Sequence, residues 1–284
     1  MVLARADMDA LPVAEDTRLE YSSTVPGAMH ACGHDMHMAT LLAAAKFLAG
    51  NRERWSGTYL ALFQPAEETA AGAKAMVADG LVERIPKPDV ALAQHVMPVE
   101  AGKIGTTAGP ILSAGDSLRV TVYGRGAHGS MPHNSVDPVV LASSIVFKLQ
   151  TIVSRETRPG QFAVLTVGAL NAGSAANIIP DRAQLLLNIR TYDVARRQQI
   201  IDSIQRIVRG ECQASGSPQE PQFELYDQFP LTSNDAAAND RIIKAFEAHF
   251  DQGQVYQAEP ATASEDFSVI PDAFGIPYAY WTVG

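Results

Sequence analysis

Four short segments in the first hundred residues hold most of the side chains that are able to perform chemistry. They are Asp7–Asp9, His30–His37, Pro65–Glu68 and His95. In the second of them, three of the protein's seven histidines lie close to Cys32. Thiol, imidazole and carboxylate groups together are the ligands that borderline-soft divalent cations prefer. Segments of this composition would form a divalent-metal site if the fold brings them together.

Apolar runs and helix-length stretches alternate around these segments. Near-continuous apolar residues at Val2–Ala6, Thr58–Gln64 and Asp89–Gln94 are typical of strands buried on both faces of a parallel sheet. Alanine-rich stretches at Met36–Ala49 and Ala70–Asp79 predict helices between those strands. Ligands of open α/β sheets bind outside the carboxyl ends of the strands. We therefore expect the four segments to converge on one crevice.

Each candidate also has a structural interpretation when it is taken singly. Cys32 suits the role of a small buried hydrophobe, and His95 that of a hydrogen-bonded core histidine. Glu67 and Glu68 suit the solvated first turn of the following helix, where acidic side chains interact favourably with the helix dipole. The coincidence of these residue types at the ends of buried strands favours the metal site.

A different pattern begins near Ser113 and predicts a second domain. Strands and helices are predicted there in the order β-α-β-β-α-β, which is the ferredoxin-like arrangement. The predicted strands are Leu118–Tyr123, Phe162–Leu170, Ala183–Tyr192 and Gln222–Tyr226, and the predicted helices are Asp137–Arg155 and Val194–Cys212. After this domain, a helix is predicted near Asp235–Phe250 and a strand near Tyr278–Val283. We therefore predict a discontinuous α/β sandwich domain over residues 1–112 and 228–284, with an α+β domain inserted over residues 113–227.

The segment Gly124–Gly129 matches the G-x-G-x-x-G pattern of dinucleotide-binding loops. In such loops the third glycine opens a helix directly, and an acidic residue follows about 20 positions later. Here Pro132 interrupts the segment and Leu149 occupies the later position. We interpret the segment as a flexible turn that presents His128, with His133 as a second candidate.

The composition indicates a globular protein and excludes several classes of partner. Lys and Arg number 22 against 31 Asp and Glu, which gives a net charge of −9 over 284 residues. This balance, with no basic cluster, argues against nucleic acid and anionic membranes as partners. Two cysteines are too few for a disulfide framework. Because neither a transmembrane run nor a signal peptide is recognisable, we expect a soluble, cytoplasmic protein.

Seven motifs occur in the order expected of a known enzyme family. They are RADMDALP (Arg5–Pro12), HACGHDMHMA (His30–Ala39), QPAEE (Gln64–Glu68), GRGAHGSMPH (Gly124–His133), NIIPD (Asn177–Asp181), IRT (Ile189–Thr191) and SEDFS (Ser264–Ser268). With these motifs the chain resembles the amidohydrolase branch of the aminoacylase/carboxypeptidase-type metallopeptidases, which acts on N-acyl amino acids, hippurate and auxin–amino acid conjugates. The resemblance implies a metal-dependent exopeptidase-like α/β sandwich with an inserted ferredoxin-like (βαββαβ) lid, through which the protein forms a homodimer.

The resemblance also implies roles for residues of the first domain. The family's metal ligands match Cys32, His34, Glu68 and His95, which would hold up to two divalent ions (Zn, Mn, Co or Ni) per chain. Glu67 matches the catalytic general base, and Asp9 matches an acidic residue that supports the site. Such a metal pair acidifies a bound water and polarises the amide carbonyl. Glu67 would take the proton of that water and pass it to the departing amine.

In the lid, the resemblance implies three residues that contact the substrate. His128 matches a histidine that reaches, across a dimer, the substrate carbonyl of a neighbouring subunit, where it would donate to the oxyanion. Asn177 and Arg190 match positions that hold the substrate and its carboxylate, for which the guanidinium offers a bidentate fork. A structural salt bridge on a lid strand is the alternative for Arg190.

The chain departs from the family pattern at both ends. Family members begin with further elements before the RADMDALP strand, and they continue beyond the strand that ends in WTVG (Trp281–Gly284) to a late metal-ligating histidine. His249 lies in the wrong context to replace that histidine. We therefore expect this protein to be a form truncated at both ends. It would be an amidohydrolase for N-acetyl amino acids or hippurate-like substrates, and its activity would be weakened or absent. The alternative is a non-catalytic binding protein of the same fold.

Overall fold

The computed structural model describes all 284 residues, Met1–Gly284. The strands are β1 (Val2–Asp7), β2 (Tyr59–Gln64), β3 (Val90–Val96), β4 (Ile104–Thr106), β5 (Gly109–Leu112), β6 (Ala114–Tyr123), β7 (Ala127–His128), β8 (Ala163–Ala172), β9 (Ile178–Ile179), β10 (Arg182–Thr191), β11 (Gln222–Phe229), β12 (Thr232–Asn234), β13 (Val255–Gln257) and β14 (Tyr278–Val283). The helices are α1 (His34–Gly50), α2 (Gly72–Ala78), α3 (Leu81–Arg84), α4 (Pro138–Thr151), α5 (Val194–Ala214), α6 (Ala236–Glu247) and α7 (Val269–Phe274). None of these helices combines the length and the apolar character that crossing a membrane requires.

The chain forms two units. One consists of Met1–Ser113 with Pro230–Gly284, and the other of Ala114–Phe229. The first unit is built on a six-stranded sheet with the strand order β13-β4-β14-β3-β1-β2. Strand β1 lies parallel to β2 on one side and to β3 on the other. The carboxyl ends of these three neighbouring strands therefore meet at one edge of the sheet.

Alternate residues of the central strands face a core on one side of this sheet. Leu3 of β1, Ala91 of β3 and Tyr280 of β14 are buried there. Phe267 and Phe274, the latter on α7, complete the same core together with side chains of α2 and α3. Helix α1 packs against β1, β2 and β3. This burial explains why the sequences of β1 and β3 are almost uninterrupted apolar runs.

The second unit contains a four-stranded antiparallel sheet with the strand order β11-β6-β10-β8. Its main elements follow the chain as β6, α4, β8, β10, α5 and β11. Helices α4 and α5 contribute Ile145 and Ile204 to a core that also includes Val120 of β6. Each of the two helices begins at an aspartate, Asp137 or Asp193, whose side chain accepts hydrogen bonds from the first turn. Strands β7 and β9 form a separate two-stranded ribbon.

The mixed α/β class predicted from the sequence is confirmed, but two helix predictions need correction. The helix predicted over Ala70–Asp79 starts only at Gly72, because Ala70 has a left-handed backbone (φ 52). Glu67 and Glu68 consequently precede the helix, so their interpretation as its first turn is wrong. The helix predicted over Asp137–Arg155 is α-helical only as far as Thr151, and a π-helical turn follows at Ile152–Glu156.

Candidate metal centre

The candidate metal ligands of the first unit lie at one end of its sheet. Cys32 immediately precedes the glycine before α1, and His34 is the first residue of that helix. Glu68 follows the end of β2 by a short turn, and His95 is the penultimate residue of β3. The fold thus brings together candidate ligands that are up to 63 positions apart in the sequence.

His34 stands at the centre of this cluster. Its Nε2 lies 3.9 Å from Oε2 of Glu67 and 3.9 Å from Oε1 of Glu68. The Nε2 of His95 lies 3.5 Å from the Sγ of Cys32. Donor atoms of Cys32, His34 and His95 all lie within 4.8 Å of one another, and so do those of His34, Glu67 and Glu68. The two trios share His34, so the five side chains form one cluster around this residue.

Two unusual backbone features shape the cluster. Gly33, between Cys32 and His34, has φ +83, and a Cβ placed on it would lie 2.4 Å from a methyl carbon of Val96. Only glycine allows this close approach to the strand that carries His95. In the turn after β2, Ala66 adopts a left-handed conformation (φ 51), which costs an alanine energy. The left-handed alanine directly precedes Glu67, so the strain lies beside the side chains that could do chemistry.

Hydrogen bonds orient the two imidazoles toward the cluster. Nδ1 of His34 lies 3.0 Å from the carbonyl oxygen of Asp9, and Nδ1 of His95 lies 2.6 Å from that of Val96. A carbonyl oxygen can only accept, so each Nδ1 carries the hydrogen and each Nε2 presents a lone pair. The side chain of Asp9 also accepts a hydrogen bond from the main-chain N–H of Glu68 at 3.0 Å. Asp9 therefore holds one imidazole of the cluster and the main chain of Glu68.

The residues fit a divalent cation by two independent observations. Nε2 of His34 and Oε1 of Glu68 are buried and have no hydrogen-bond partner, whereas buried polar atoms are normally paired. The second observation is that the surroundings disfavour the charged forms of two candidate groups. Burial, together with the charge of Glu265, raises the pKa of Glu67 to about 10. Burial and the carboxylate of Glu68 raise the pKa of the Cys32 thiol to about 12. A cation between these groups would give the orphaned atoms a partner and would favour the deprotonated forms of Glu67 and Cys32.

A buried network that no sequence pattern predicted lies next to the cluster. Arg5 donates from Nη1 to Asp7 at 2.6 Å and from Nη2 to Glu265 at 2.8 Å, and all three side chains are essentially inaccessible. Burial alone would raise the pKa of Asp7, but a hydrogen bond from His37 and the charge of Arg5 hold that pKa well below its usual range. Asp266 accepts a hydrogen bond from Gln64 at 2.5 Å in the same network. An arginine inside the apolar run of β1 was the available signal.

The remaining candidates lie in the second unit. His128 is on β7, opposite Ile178 of β9, and the N–H of Gly129 donates to the carbonyl oxygen of Asn177 at 2.8 Å. Nδ1 of His128 accepts a hydrogen bond from the N–H of Ser130 at 3.2 Å, so its exposed Nε2 carries the hydrogen.

Arg190 lies apart from the ribbon, on β10 of the main sheet. Its Nε donates to Oδ1 of Asn188 at 3.1 Å. The structure therefore brings His128 and Asn177 together in the ribbon and places Arg190 on a different element of the same unit.

Comparison with known proteins relates the whole chain to one family. The sequence model described as peptidase family M20/M25/M40 matches residues 3–284. N-acetyl-L-cysteine deacetylase of Bacillus subtilis (strain 168) is 39% identical over 278 residues, which cover 96% of this chain and 65% of that protein. Hippurate hydrolase of Campylobacter jejuni is 39% identical over 278 residues, which cover 97% of this chain and 71% of that protein.

A solved structure gives the same relationship. The crystal structure of a dinuclear metal binding peptidase from the M20 family of Bacillus subtilis matches with a TM-score of 0.79 and 29% identity. The match covers 100% of this chain and 71% of that one. The chain therefore spans about two thirds of the length of the relatives that it matches.

Proposed function

Because this chain belongs to peptidase family M20/M25/M40, we propose that it is a metal-dependent amidohydrolase that cleaves the amide bond of N-acyl amino acids. The observation that carries the proposal is the buried cluster in which His34 and Glu68 present unpartnered atoms beside Glu67. A purely structural cluster would pair those atoms within the protein. A metal-dependent hydrolytic site needs these atoms free to bind a cation, together with a carboxylate close by.

Four residues of the first unit would hold the cation or cation pair: Cys32, His34, Glu68 and His95. They supply one thiol, two imidazoles and one carboxylate, a donor set that suits Zn, Mn, Co or Ni. When bound, such ions would acidify a water molecule and polarise the carbonyl of the scissile amide. Burial lowers the pKa of His95, so its imidazole is neutral and able to act as a ligand.

Glu67 is the general base in this proposal. Its side chain is almost fully buried, is adjacent in sequence to the ligand Glu68, and lies 3.9 Å from the ligand His34. A carboxylate in this position accepts the proton of the attacking water and transfers it to the amine that leaves. The raised pKa of Glu67 in the metal-free protein would fall once a cation compensates the surrounding carboxylates.

The second unit, with its β-α-β-β-α-β order, is proposed to be a ferredoxin-like lid that also forms a homodimer. Its strand β8 lies at the edge of the four-stranded sheet, where its free side offers main-chain groups to a second copy. His128 presents a hydrogen on Nε2, as a donor to a developing oxyanion must. Asn177 beside it would contact the substrate, and the guanidinium of Arg190 would bind the free carboxylate of the amino acid.

The names of the relatives support the substrate class. One relative is a deacetylase of N-acetyl-L-cysteine and another is a hydrolase of hippurate. Both substrates join an acyl group to the nitrogen of an amino acid with a free carboxylate. We propose N-acetyl and N-benzoyl amino acids as the substrates to test first.

The test is hydrolysis of an N-acetyl and N-benzoyl amino acid panel by the full chain after loading with Zn, Mn, Co or Ni in turn. We expect turnover that Glu67→Gln reduces by roughly 10²–10⁴-fold while metal content is retained. Glu83→Gln, at an exposed position of α3, is the matched control and should retain activity. Absence of hydrolysis with every metal would favour the non-catalytic binding protein of the same fold over the amidohydrolase, and equal turnover by Glu67→Gln would contradict the general base. Sedimentation of the same protein tests whether it forms the proposed homodimer.

A further inference from the structure

We infer that His37 is a positioning residue that holds the ligand His95 in the orientation that the metal site needs. The inference rests on the metal site proposed above. His37 lies on α1, one turn after His34, and is only 1% exposed. Donor atoms of Asp7, His34 and His37 lie close enough together to suggest a third trio of ligands. The hydrogen bonds of His37 point to a different role.

Both ring nitrogens of His37 have partners within the protein. Its Nε2 lies 2.9 Å from the main-chain nitrogen of Val96, and its Nδ1 lies 2.5 Å from Oδ1 of Asp7. A main-chain N–H can only donate, so Nε2 is the acceptor and Nδ1 carries the hydrogen that it donates to Asp7. No lone pair of the ring is left for a cation. His37 is therefore not a ligand in this arrangement.

The main chain of Val96 connects His37 to His95. The N–H of Val96 belongs to the peptide that joins it to His95, so the hydrogen bond to His37 fixes that peptide plane. The carbonyl oxygen of Val96 accepts the hydrogen of Nδ1 of His95. The two imidazole rings also meet edge to face, with centroids 4.6 Å apart. His37 thus restrains both the backbone and the ring of His95.

Asp7 anchors His37 from the opposite side. Its second carboxylate oxygen accepts a hydrogen bond from Arg5 at 2.6 Å, and Arg5 is itself held by Glu265. The side chains of Arg5 and Asp7 are completely buried. The result is a relay of hydrogen bonds from Arg5 through Asp7 and His37 to the strand that carries His95. Partners that orient metal-ligating histidines typically change metal affinity about 10–100-fold when they are removed.

Two substitutions separate the two hydrogen bonds of His37. The amide of glutamine can place an oxygen near the position of Nε2 and still accept from Val96, whereas the amide of asparagine reaches only the position of Nδ1. We therefore expect His37→Asn to raise the dissociation constant for Zn or Co about 10–100-fold, and His37→Gln to raise it less. The measurement is competition with a chelator, alongside circular dichroism of the metal-free proteins. Affinities within twofold of the wild type for both variants would overturn the inference.

A double-mutant cycle with His95→Ala shows whether His37 acts through His95. If it does, adding His37→Asn to His95→Ala leaves metal affinity unchanged, because the residue to be oriented is already absent. If His37 contributes only to general stability, the losses of metal affinity caused by the two substitutions multiply instead. Multiplying losses would therefore overturn the positioning role.

Nitrogen-15 NMR of the histidine side chains tests the inference on the unmodified protein. We expect His37 to show the tautomer with hydrogen on Nδ1, and to keep it when Zn is added, while the Nε2 signals of His34 and His95 shift. A direct metal shift at His37, or hydrogen on its Nε2, would overturn the inference. Failure of the wild-type protein to bind any metal would instead contradict the proposed function.

Discussion

The carboxylate of Asp9 accepts a hydrogen bond from the main-chain N–H of Glu68 at 3.0 Å. The contact joins the segment after β1 to the segment after β2, and it holds the backbone of a proposed metal ligand. Since the carbonyl oxygen of Asp9 also binds Nδ1 of His34, a single residue orients two members of the cluster.

Removing the Asp9 carboxylate should weaken metal binding without unfolding the protein. We expect Asp9→Ala to raise the metal dissociation constant by roughly tenfold or more, because the segment of Glu68 loses its support. Asp9→Asn keeps an oxygen that can accept from Glu68 and should lose less affinity. Isothermal calorimetry with Zn measures both constants. Equal affinities for wild type and Asp9→Ala would show that the contact has no role in positioning.

Arg5→Met should destabilise the first unit strongly. The substitution leaves the buried carboxylates of Asp7 and Glu265 without their cation, and breaking a buried ion pair in this way costs about 3–5 kcal/mol. Arg84→Met removes an exposed pair with Asp79 and should change stability by less than about 1 kcal/mol. Urea unfolding of the metal-free proteins compares the two. A loss for Arg5→Met as small as that for Arg84→Met would contradict the electrostatic account of the network.

Metal binding should release protons and become tighter as pH rises. The pKa of Cys32 is raised to about 12 in the metal-free protein, so its thiol is protonated at neutral pH and must lose the proton to bind a cation. One proton released by this thiol contributes about a tenfold gain in affinity per pH unit below that pKa.

The contribution of the thiol can be isolated by substitution. Cys32→Ser should lower the slope of log affinity against pH by about one, and Cys212→Ser, at the other cysteine of the chain, should leave the slope unchanged. Chelator competition at several pH values gives the slopes. A wild-type slope that Cys32→Ser does not alter would exclude the thiol as a ligand.

Gly33→Ala should disrupt the site that Gly50→Ala leaves intact. At Gly33 an added Cβ meets Val96 at 2.4 Å, and the left-handed conformation alone costs about 1–2 kcal/mol. Gly50 ends the same helix, has no atoms within 4 Å of its added Cβ, and should become slightly more stable as alanine, by up to about 1 kcal/mol. Thermal unfolding and Zn affinity report both effects. Unchanged Zn affinity in Gly33→Ala would contradict the account of the close approach.

Those parts of the structure that depend on a local sequence pattern could be predicted. The strand predicted at Tyr278–Val283 has the same bounds in the structure, because six mostly apolar residues with aromatic side chains favour a buried strand. The convergence of Glu68 and His95 was also predictable, since they lie at the carboxyl ends of parallel strands, which meet at one edge.

Other features depend on contacts between distant residues, which no local pattern reveals. Arg5 and Glu265 are 260 positions apart, and only the folded sheet shows that they pair. The left-handed turn at Ala66 could not be predicted either, because alanine normally favours a helix. The role of His37 depends on the position of the Val96 N–H, and the sequence of α1 does not reveal that position.

The position of β14 has a consequence for the order in which the chain folds during synthesis. β14, at Tyr278–Val283, lies between β3 and β4, whereas residues 114–229 of the second unit form a continuous stretch. The ribosome therefore completes the second unit while the first sheet still lacks a central strand. Until β14 arrives, the edges of β3 and β4 are open to pairing with other chains. We expect newly made chains to need chaperone protection at this stage and to be prone to aggregation when translation stalls there.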